Sequence, residues 1–323
     1  MSTDLEVHLA PSAHLEALRR DVRAGLTSTP KTLPPKYFYD ALGSDLFDEI
    51  TRLPEYYPTR AETAILALYS DAIAELSGAR TLVELGSGTS AKSGLLLTAL
   101  TARGSLERFV PFDIDPAVLM DAADTITHEY PGLSVQPVVG DFEKHLTQLP
   151  VHPARMIAFL GSTVGNLELL ARAQFLHSVR ATMRAGDTFL LGTDLVKDPG
   201  RLQSAYDDAA GVTAAFNRNV LSVVNRELNA DFDEAWFDHV ALWNAEREWI
   251  EMHLLSLRDQ VVTVTDLDLS VEFARGELMR TEISAKFHVA GIGAELAAAD
   301  FDLVKVWTDP DGDFALSLAS PRA

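Results

Sequence analysis

The chain contains no cysteine. That excludes disulfide staples, a thiolate nucleophile, and zinc or iron–sulfur centres built on cysteine. Long hydrophobic runs are also missing, and no stretch approaches the ~20 apolar residues of a membrane helix. The first residues, Met1-Ser-Thr-Asp-Leu-Glu-Val-His8, lack the basic and apolar regions of a secretory signal, so a cytoplasmic location is expected. Positive charge is scarce. Against 47 acidic side chains stand 27 lysines and arginines, a formal net charge of −20, and such a field repels phosphate backbones. Neither nucleic acid nor a membrane is an expected partner. The nine histidines are scattered, without a His-Glu-x-x-His pair or a tight His/Asp cluster, and no metal is expected. Coiled-coil heptads and internal repeats are absent too, which leaves a monomer as the default.

Core material, by contrast, is plentiful. Hydrophobic residues fill 47% of 323 positions, enough for one large or two modest domains. Near the start, Leu15, Leu18, Val22 and Leu26 fall on one helical face. Two proline-rich loops follow, with Tyr37, Phe38 and Tyr39 in the first and Tyr56 and Tyr57 in the second. They suit a lid or substrate wall, or simply dock the N-terminal helix. Short apolar runs at 81–85, 108–112, 133–139, 156–160 and 188–193 then alternate with amphipathic stretches. This rhythm predicts a parallel, doubly wound α/β sheet. Beyond Asp194 it breaks. Residues 198–229 and 233–243 read as helices, and 249–257, 261–265 and 267–273 as strands. The rhythm returns with a helix at 292–299 and strands at 301–308 and 314–318. The pattern divides the chain into an α/β domain at 61–196 plus 287–323 and a smaller α+β domain at 1–60 plus 197–286.

Within the first of these, Leu82-Val83-Glu84-Leu85-Gly86-Ser87-Gly88-Thr89-Ser90-Ala91-Lys92-Ser93 reads as a strand, a glycine turn and a helix start. Such a junction aims backbone N–H groups at a ligand. Three ligands fit the letters. A P-loop needs glycine at its sixth position, where Ala91 stands, and a Cβ there obstructs the loop. A dinucleotide fits better, because Asp113 closes the next run near the ~20-residue spacing at which a carboxylate takes a ribose. S-adenosylmethionine (SAM) has a ribose as well, and two features favour it. Glu84 suits a ligand with a cationic amino-acid tail and repels a pyrophosphate. Gly140-Asp141-Phe142 offers a carboxylate for the adenine amino group and a ring beside it, although the same letters make an ordinary turn. Where many SAM turns have a third glycine stands Ser90. Thr89 and Ser90 can cap the following helix instead. Lys92, in its first turn, can bond the cofactor carboxylate or reach solvent.

More specific than the turn are Leu33-Pro-Pro-Lys-Tyr-Phe-Tyr-Asp40, Leu53-Pro-Glu-Tyr-Tyr-Pro-Thr-Arg-Ala-Glu62, Phe112-Asp-Ile-Asp115, Gly161-Ser-Thr-Val-Gly-Asn166, Thr193-Asp-Leu-Val-Lys-Asp198, Ala205-Tyr-Asp-Asp208, Phe216-Asn-Arg-Asn-Val220 and Thr281-Glu-Ile-Ser284. With these the chain closely resembles, over nearly its whole length, the L-histidine Nα-methyltransferases of ergothioneine biosynthesis. The resemblance implies a Rossmann-like class I methyltransferase sheet with a separate substrate-binding domain. It implies SAM as methyl donor and three methylations of the α-amino nitrogen of L-histidine, giving hercynine. Matching positions imply that Gly86, Lys92, Asp113, Asp141 and Phe142 contact SAM. Tyr56, Asn166, Tyr206, Glu282, Ile283 and Ser284 would hold histidine, with Tyr39 as the catalytic tyrosine near the amine. The residues alone leave three alternatives: a SAM methyltransferase for another small amine or amino acid, a dinucleotide oxidoreductase, and a non-catalytic sensor of SAM or an amino acid.

Overall fold

The computed structural model describes residues 5–9, 11–88, 90 and 92–322. Thr89 and Ala91, on which one capping argument and the P-loop argument rest, lie outside the described residues. The chain divides into two compact units. One comprises Met1–Leu9, Pro58–Val196 and Lys286–Ala323, the other Ala10–Tyr57 and Lys197–Ala285.

The first unit is built on a nine-stranded sheet among the described residues. Its order runs Glu6–Val7, Val138–Val139, Arg108–Asp113, Thr81–Leu85, Arg155–Phe159, Thr188–Asp194, Phe314–Pro321, Phe301–Thr308, and Ser134–Val135 lies off this path beside Arg108–Asp113. All pairings are parallel except the last two. The central strands are apolar on both faces, as a sheet covered on both sides requires. Leu82, Phe109, Met156, Ala158 and Leu190 pack with Leu96, Leu97 and Leu100 of helix Ser93–Ala102 and Ile65 and Leu66 of helix Pro58–Ser77. On the opposite face Phe159 packs against Phe175 of helix Leu169–Thr182, ring centroids 4.8 Å apart. Each such side chain contributes about 1.5–3 kcal/mol by leaving water. The run at 133–139 becomes two short strands on either side of Pro137, which has no N–H to offer a ladder. Glu6–Val7 pairs with Val138–Val139, so the N-terminal strand belongs to this sheet and not with residues 10–57 as the pattern at 1–60 suggested.

The second unit has its own core. Helix Pro11–Thr27 buries Leu18, Val22 and Leu26 as its spacing demands, and they pack with Phe216, Val220 and Val224 of helix Val212–Leu228. Against that helix lies an antiparallel sheet of Phe237–Asn244, Trp249–Ser256 and Leu278–Ala285. A separate hairpin of Gln260–Val264 and Leu269–Phe273 completes the unit. The helix expected at 233–243 is a correction. Only Glu234–Trp236 makes a 3-10 turn, and Phe237–Asn244 is a strand. Phe237, His239 and Ala241 are buried while Asp238 and Leu242 are exposed, which is period two. Buried His239 disguises that alternation in the sequence.

Candidate active site

The strands Thr81–Leu85, Arg108–Asp113 and Val138–Val139 end side by side, and their loops carry the expected cofactor residues. Gly86 and Gly88 both adopt positive φ, 64° and 47°, which a side chain would resist. Gly86 donates its N–H to the Phe112 carbonyl at 2.8 Å. Gly88 donates to Asp113 Oδ2 at 2.9 Å, while Asp113 Oδ1 accepts from Ile114 at 2.7 Å and Asp115 at 3.2 Å. Gly140 then donates to the Asp113 carbonyl at 2.8 Å. Gly86, Asp113 and Gly140-Asp141-Phe142 therefore form one hydrogen-bonded constellation. Burial raises the Asp113 pKa, opposed by the N–H groups of Gly88, Asp115 and Ile114. Asp141 accepts the N–H of Glu143 at 2.9 Å and pairs with Lys144 at 3.0 Å. Phe142 lies edge-on to Phe159, centroids 5.1 Å apart.

Ser90 does not act as the expected cap. It adopts φ +55°, its hydroxyl makes no hydrogen bond of normal geometry among the described residues, and Lys92 stands at the cap position of helix Ser93–Ala102. Lys92 Nζ lies 2.6 Å from Glu62 Oε2. Glu62, on helix Pro58–Ser77, is fully buried and also receives the Gly161 N–H at 2.8 Å. Its carboxylate fits because residue 192 is glycine. A Cβ on Gly192 would lie 2.5 Å from Glu62 Oε1. Sequence reasoning missed Glu62 as a site residue; the motif ending in Ala61-Glu62 was the available signal.

Glu84 is 3% exposed, and Oε2 makes no hydrogen bond of normal geometry among the described residues. Desolvation pushes its pKa up to about 7, against the pull of the Ser93 hydroxyl, the Lys92 charge and the Ser90 hydroxyl. The Ser87 hydroxyl is likewise buried without a hydrogen bond among the described residues, and those of Ser90 and Ser93 reach Glu84 only outside normal hydrogen-bond geometry. A folded protein satisfies nearly all buried polar atoms, so a carboxylate and three hydroxyls left poorly satisfied around one turn suit a polar ligand.

Asn166 ends a 3-10 turn, Thr163–Asn166, that starts from left-handed Ser162 at φ 59°. Ser162 Oγ accepts the Asp194 N–H at 2.9 Å, which fixes that turn to the end of strand Thr188–Asp194. Three further carboxylates, Asp309, Asp311 and Asp313, converge in the turn before the last strand. There Asp309 caps the N–H groups of Asp313 and Phe314, both at 2.8 Å.

The remaining expected residues lie in the second unit, and Asn166 belongs to the first. Tyr206 and Ser284 meet hydroxyl to hydroxyl at 2.7 Å. Tyr56 lies edge-on to Tyr206, centroids 6.1 Å apart. Phe47 links Tyr56 at 6.3 Å to Tyr39 at 5.6 Å, and Phe216 lies 5.5 Å from Tyr39. Phe47 and Phe216 thus join the three tyrosines in one aromatic cluster. Phe47 did not stand out in sequence, where an apolar ring reads as core, whereas Phe216 opens one of the motifs that carry the resemblance.

Glu282 is aimed by a register shift. Arg280 pairs with His253 and Glu282 with Met252, so Thr281 is an extra residue on its strand. The bulge turns Glu282 and Ser284, which oppose Met252 and Ile250, towards the buried face. Ile283 opposes Glu251 and points its side chain the other way.

A family profile described as histidine-specific methyltransferase, SAM-dependent, matches residues 18–321. The histidine N-alpha-methyltransferase of Mycolicibacterium smegmatis is 58% identical over 319 residues, 99% of either chain. That of Mycobacterium tuberculosis is 57% identical over 320 residues, 99% of this chain and all of its own. Ergothioneine biosynthesis protein 1 of Schizosaccharomyces pombe is 29% identical, and the match spans 96% of this chain but 40% of that longer protein. By sequence, by its mostly parallel α/β sheet and by the loops at the ends of that sheet, this chain belongs to the SAM-dependent histidine-specific methyltransferase family.

Proposed function

We propose that the protein transfers methyl groups from SAM to the α-amino nitrogen of L-histidine, three times in succession, giving hercynine. The observation that carries this reading is the likeness, at 57–58% identity over almost the entire chain, to proteins named for methylation of the histidine α-nitrogen. The site chemistry supports it. Bound SAM supplies a methyl carbon made electrophilic by a sulfonium.

The turn at Gly86 brings backbone close to the methionine end of the cofactor. Asp113 accepts the ribose hydroxyls, Asp141 the adenine amino group, and Phe142 flanks the ring. Lys92 takes the carboxylate while tethered to Glu62. The poorly satisfied polar atoms around Glu84 are where a ligand with an ammonium and a carboxylate finds partners.

Histidine is anchored at its two invariant ends. Tyr206 donates to its carboxylate. Glu282 and Ser284 read the imidazole, where a carboxylate also pairs with an imidazolium. The amine must lose a proton before it attacks, because an ammonium has no lone pair. α-Amines titrate near ~8 in peptides, and a desolvated site lowers that value. Holding nitrogen, methyl and sulfur in line at contact distance supplies much of the acceleration. No protein nucleophile is required. Tyr39, Tyr56 and Phe47 present aromatic faces that suit a trimethylammonium product.

The test is incubation with SAM and a panel of amino acids and amines, followed by mass spectrometry. Histidine heavier by three methyl groups is the expected product. Methylation of another amine with histidine untouched, or binding without turnover, would overturn the reading.

A further inference from the structure

Helix Val212–Leu228 carries Phe216-Asn217-Arg218-Asn219-Val220, and the proposed reaction gives its two asparagines no task. Both amides are buried, Asn217 at 0% and Asn219 at 3% exposure. Asparagine in a helix interior is unfavourable by propensity, and a buried amide needs partners. Each has them, and each set leads to residues of the histidine site.

Asn217 Oδ1 accepts the Thr281 hydroxyl at 2.6 Å, at the bulge immediately before Glu282. Its Nδ2 lies 3.0 Å from the His253 carbonyl and 2.8 Å from His239 Nδ1. His239 Nε2 lies 2.7 Å from the carbonyl of Tyr206. A carbonyl only accepts, so the network assigns the imidazole proton to Nε2 and leaves Nδ1 to accept from Asn217. Burial lowers the His239 pKa and keeps the ring in this neutral form.

Asn219 acts on another segment. Its Nδ2 donates to Asp40 Oδ1 at 2.7 Å and lies 3.3 Å from the Phe38 carbonyl, which brackets Tyr39 from either side. Asp40 also caps helix Ala41–Ile50 through the Gly43 N–H at 2.9 Å. The turn leaves no room for a side chain at Gly43, whose Cβ would stand 1.6 Å from the Phe38 oxygen. Phe216, on the same helix, lies 4.7 Å from Phe38 and 5.5 Å from Tyr39.

We propose that Asn217 and Asn219 are positioning residues of the histidine site. Asn217 sets the bulge that aims Glu282 and, through His239, the backbone of Tyr206; Asn219 sets the turn that presents Tyr39. This rests on the reading that Tyr39, Tyr206 and Glu282 serve histidine.

Wild-type protein is assayed first. If it leaves histidine unmethylated, the functional reading itself falls, independently of any variant. Given activity, Asn217→Ser should raise KM for histidine about tenfold, the size of one lost buried hydrogen bond. S-adenosylhomocysteine affinity, measured by calorimetry, should stay within about twofold, since an effect confined to the histidine site is below the tenfold step of 1.4 kcal/mol. Asn219→Ala should shift products towards mono- and dimethylhistidine. Asn217→Asp guards against misfolding of the serine variant. Its carboxylate still accepts from Thr281 but cannot donate to His239 Nδ1 or to the His253 carbonyl, so histidine KM should lie between wild type and Asn217→Ser. Wild-type KM in Asn217→Ser overturns the role of Asn217, and so does equal loss of S-adenosylhomocysteine affinity. A wild-type product ratio in Asn219→Ala overturns the role of Asn219, and a wild-type KM in Asn217→Asp overturns the link through His239.

Discussion

Lys92 Nζ stands 2.6 Å from Glu62 Oε2, and the same buried carboxylate receives the N–H of Gly161. The pair is unequal. Glu62 is sealed from solvent, whereas the Lys92 side chain is 28% exposed. Removing the lysine strands a charge in the interior, while removing the carboxylate leaves a lysine that can still reach water. Lys92→Met should therefore cost about 2–3 kcal/mol of stability, more than Glu62→Gln, given the partial exposure of the pair. Adding Glu62→Gln to Lys92→Met should recover most of that loss. Urea unfolding of the three variants checks it. Equal single-variant losses that sum in the double variant would contradict the asymmetry.

Glu84 gives the fold a pH dependence of defined sign. Its pKa rises from 4.5 to about 7 because burial disfavours the charged form. A group that binds its proton more tightly in the folded state stabilises the fold below the unfolded value and loses that contribution as pH climbs through the folded value. Between pH 4.5 and about 7 the Glu84 contribution should fall by about 3 kcal/mol, from 1.36 kcal/mol per pKa unit. Glu84→Gln removes the titration. Relative to wild type, the variant should gain stability across that window, measured by thermal unfolding at matched ionic strength. A constant stability gap would show that Glu84 does not titrate there.

The Tyr206–Ser284 contact joins helix Pro199–Tyr206 to strand Leu278–Ala285 through two buried hydroxyls 2.7 Å apart. Tyr206→Phe and Ser284→Ala each remove one half. Their effects on unfolding free energy should be coupled by about 1 kcal/mol, the double variant costing less than the sum of the singles. In the proposed reaction both variants should also raise KM for histidine. Strict additivity in a double-mutant cycle would deny the hydrogen bond its role.

Much of the cofactor half was legible because its signals are local. Leu82–Leu85 is a buried parallel strand and so a continuous apolar run, and the glycines that follow need positive φ whatever the tertiary context. Asp113 and Gly140-Asp141-Phe142 mark the ends of neighbouring strands by the same rhythm. Glu62 closes the Leu53–Glu62 motif, but its partners Lys92 and Gly161 are distant in sequence and nothing local ties that motif to the glycine turn. The strand Phe237–Asn244 was misread for a related reason. Its period-two face is completed by His239, a polar residue whose burial depends on Asn217 and the Tyr206 carbonyl. The aim of Glu282 depends on a bulge at Thr281, and a one-residue register shift has no signature in one strand alone. The histidine half was therefore reached through family resemblance and not through pattern.

Tyr39 is where iterative methylation should show itself. Each transfer removes an N–H from the amine and adds bulk, so firm N–H recognition would halt the reaction after one methyl. Anchoring at the carboxylate and ring, with a looser contact from the Tyr39 hydroxyl, permits three. Tyr39→Phe keeps the ring and hence its edge contacts with Phe47 and Phe216, at 5.6 and 5.5 Å. Only the hydroxyl is lost, which makes the variant a clean probe. Mono- and dimethylhistidine should accumulate while KM for histidine changes by less than about fivefold, since anchoring is elsewhere and one neutral hydrogen bond is worth about 1 kcal/mol. Mass spectrometry over a time course distinguishes the outcomes. An unaltered ratio of the three products would assign control of methylation number to a group other than the Tyr39 hydroxyl.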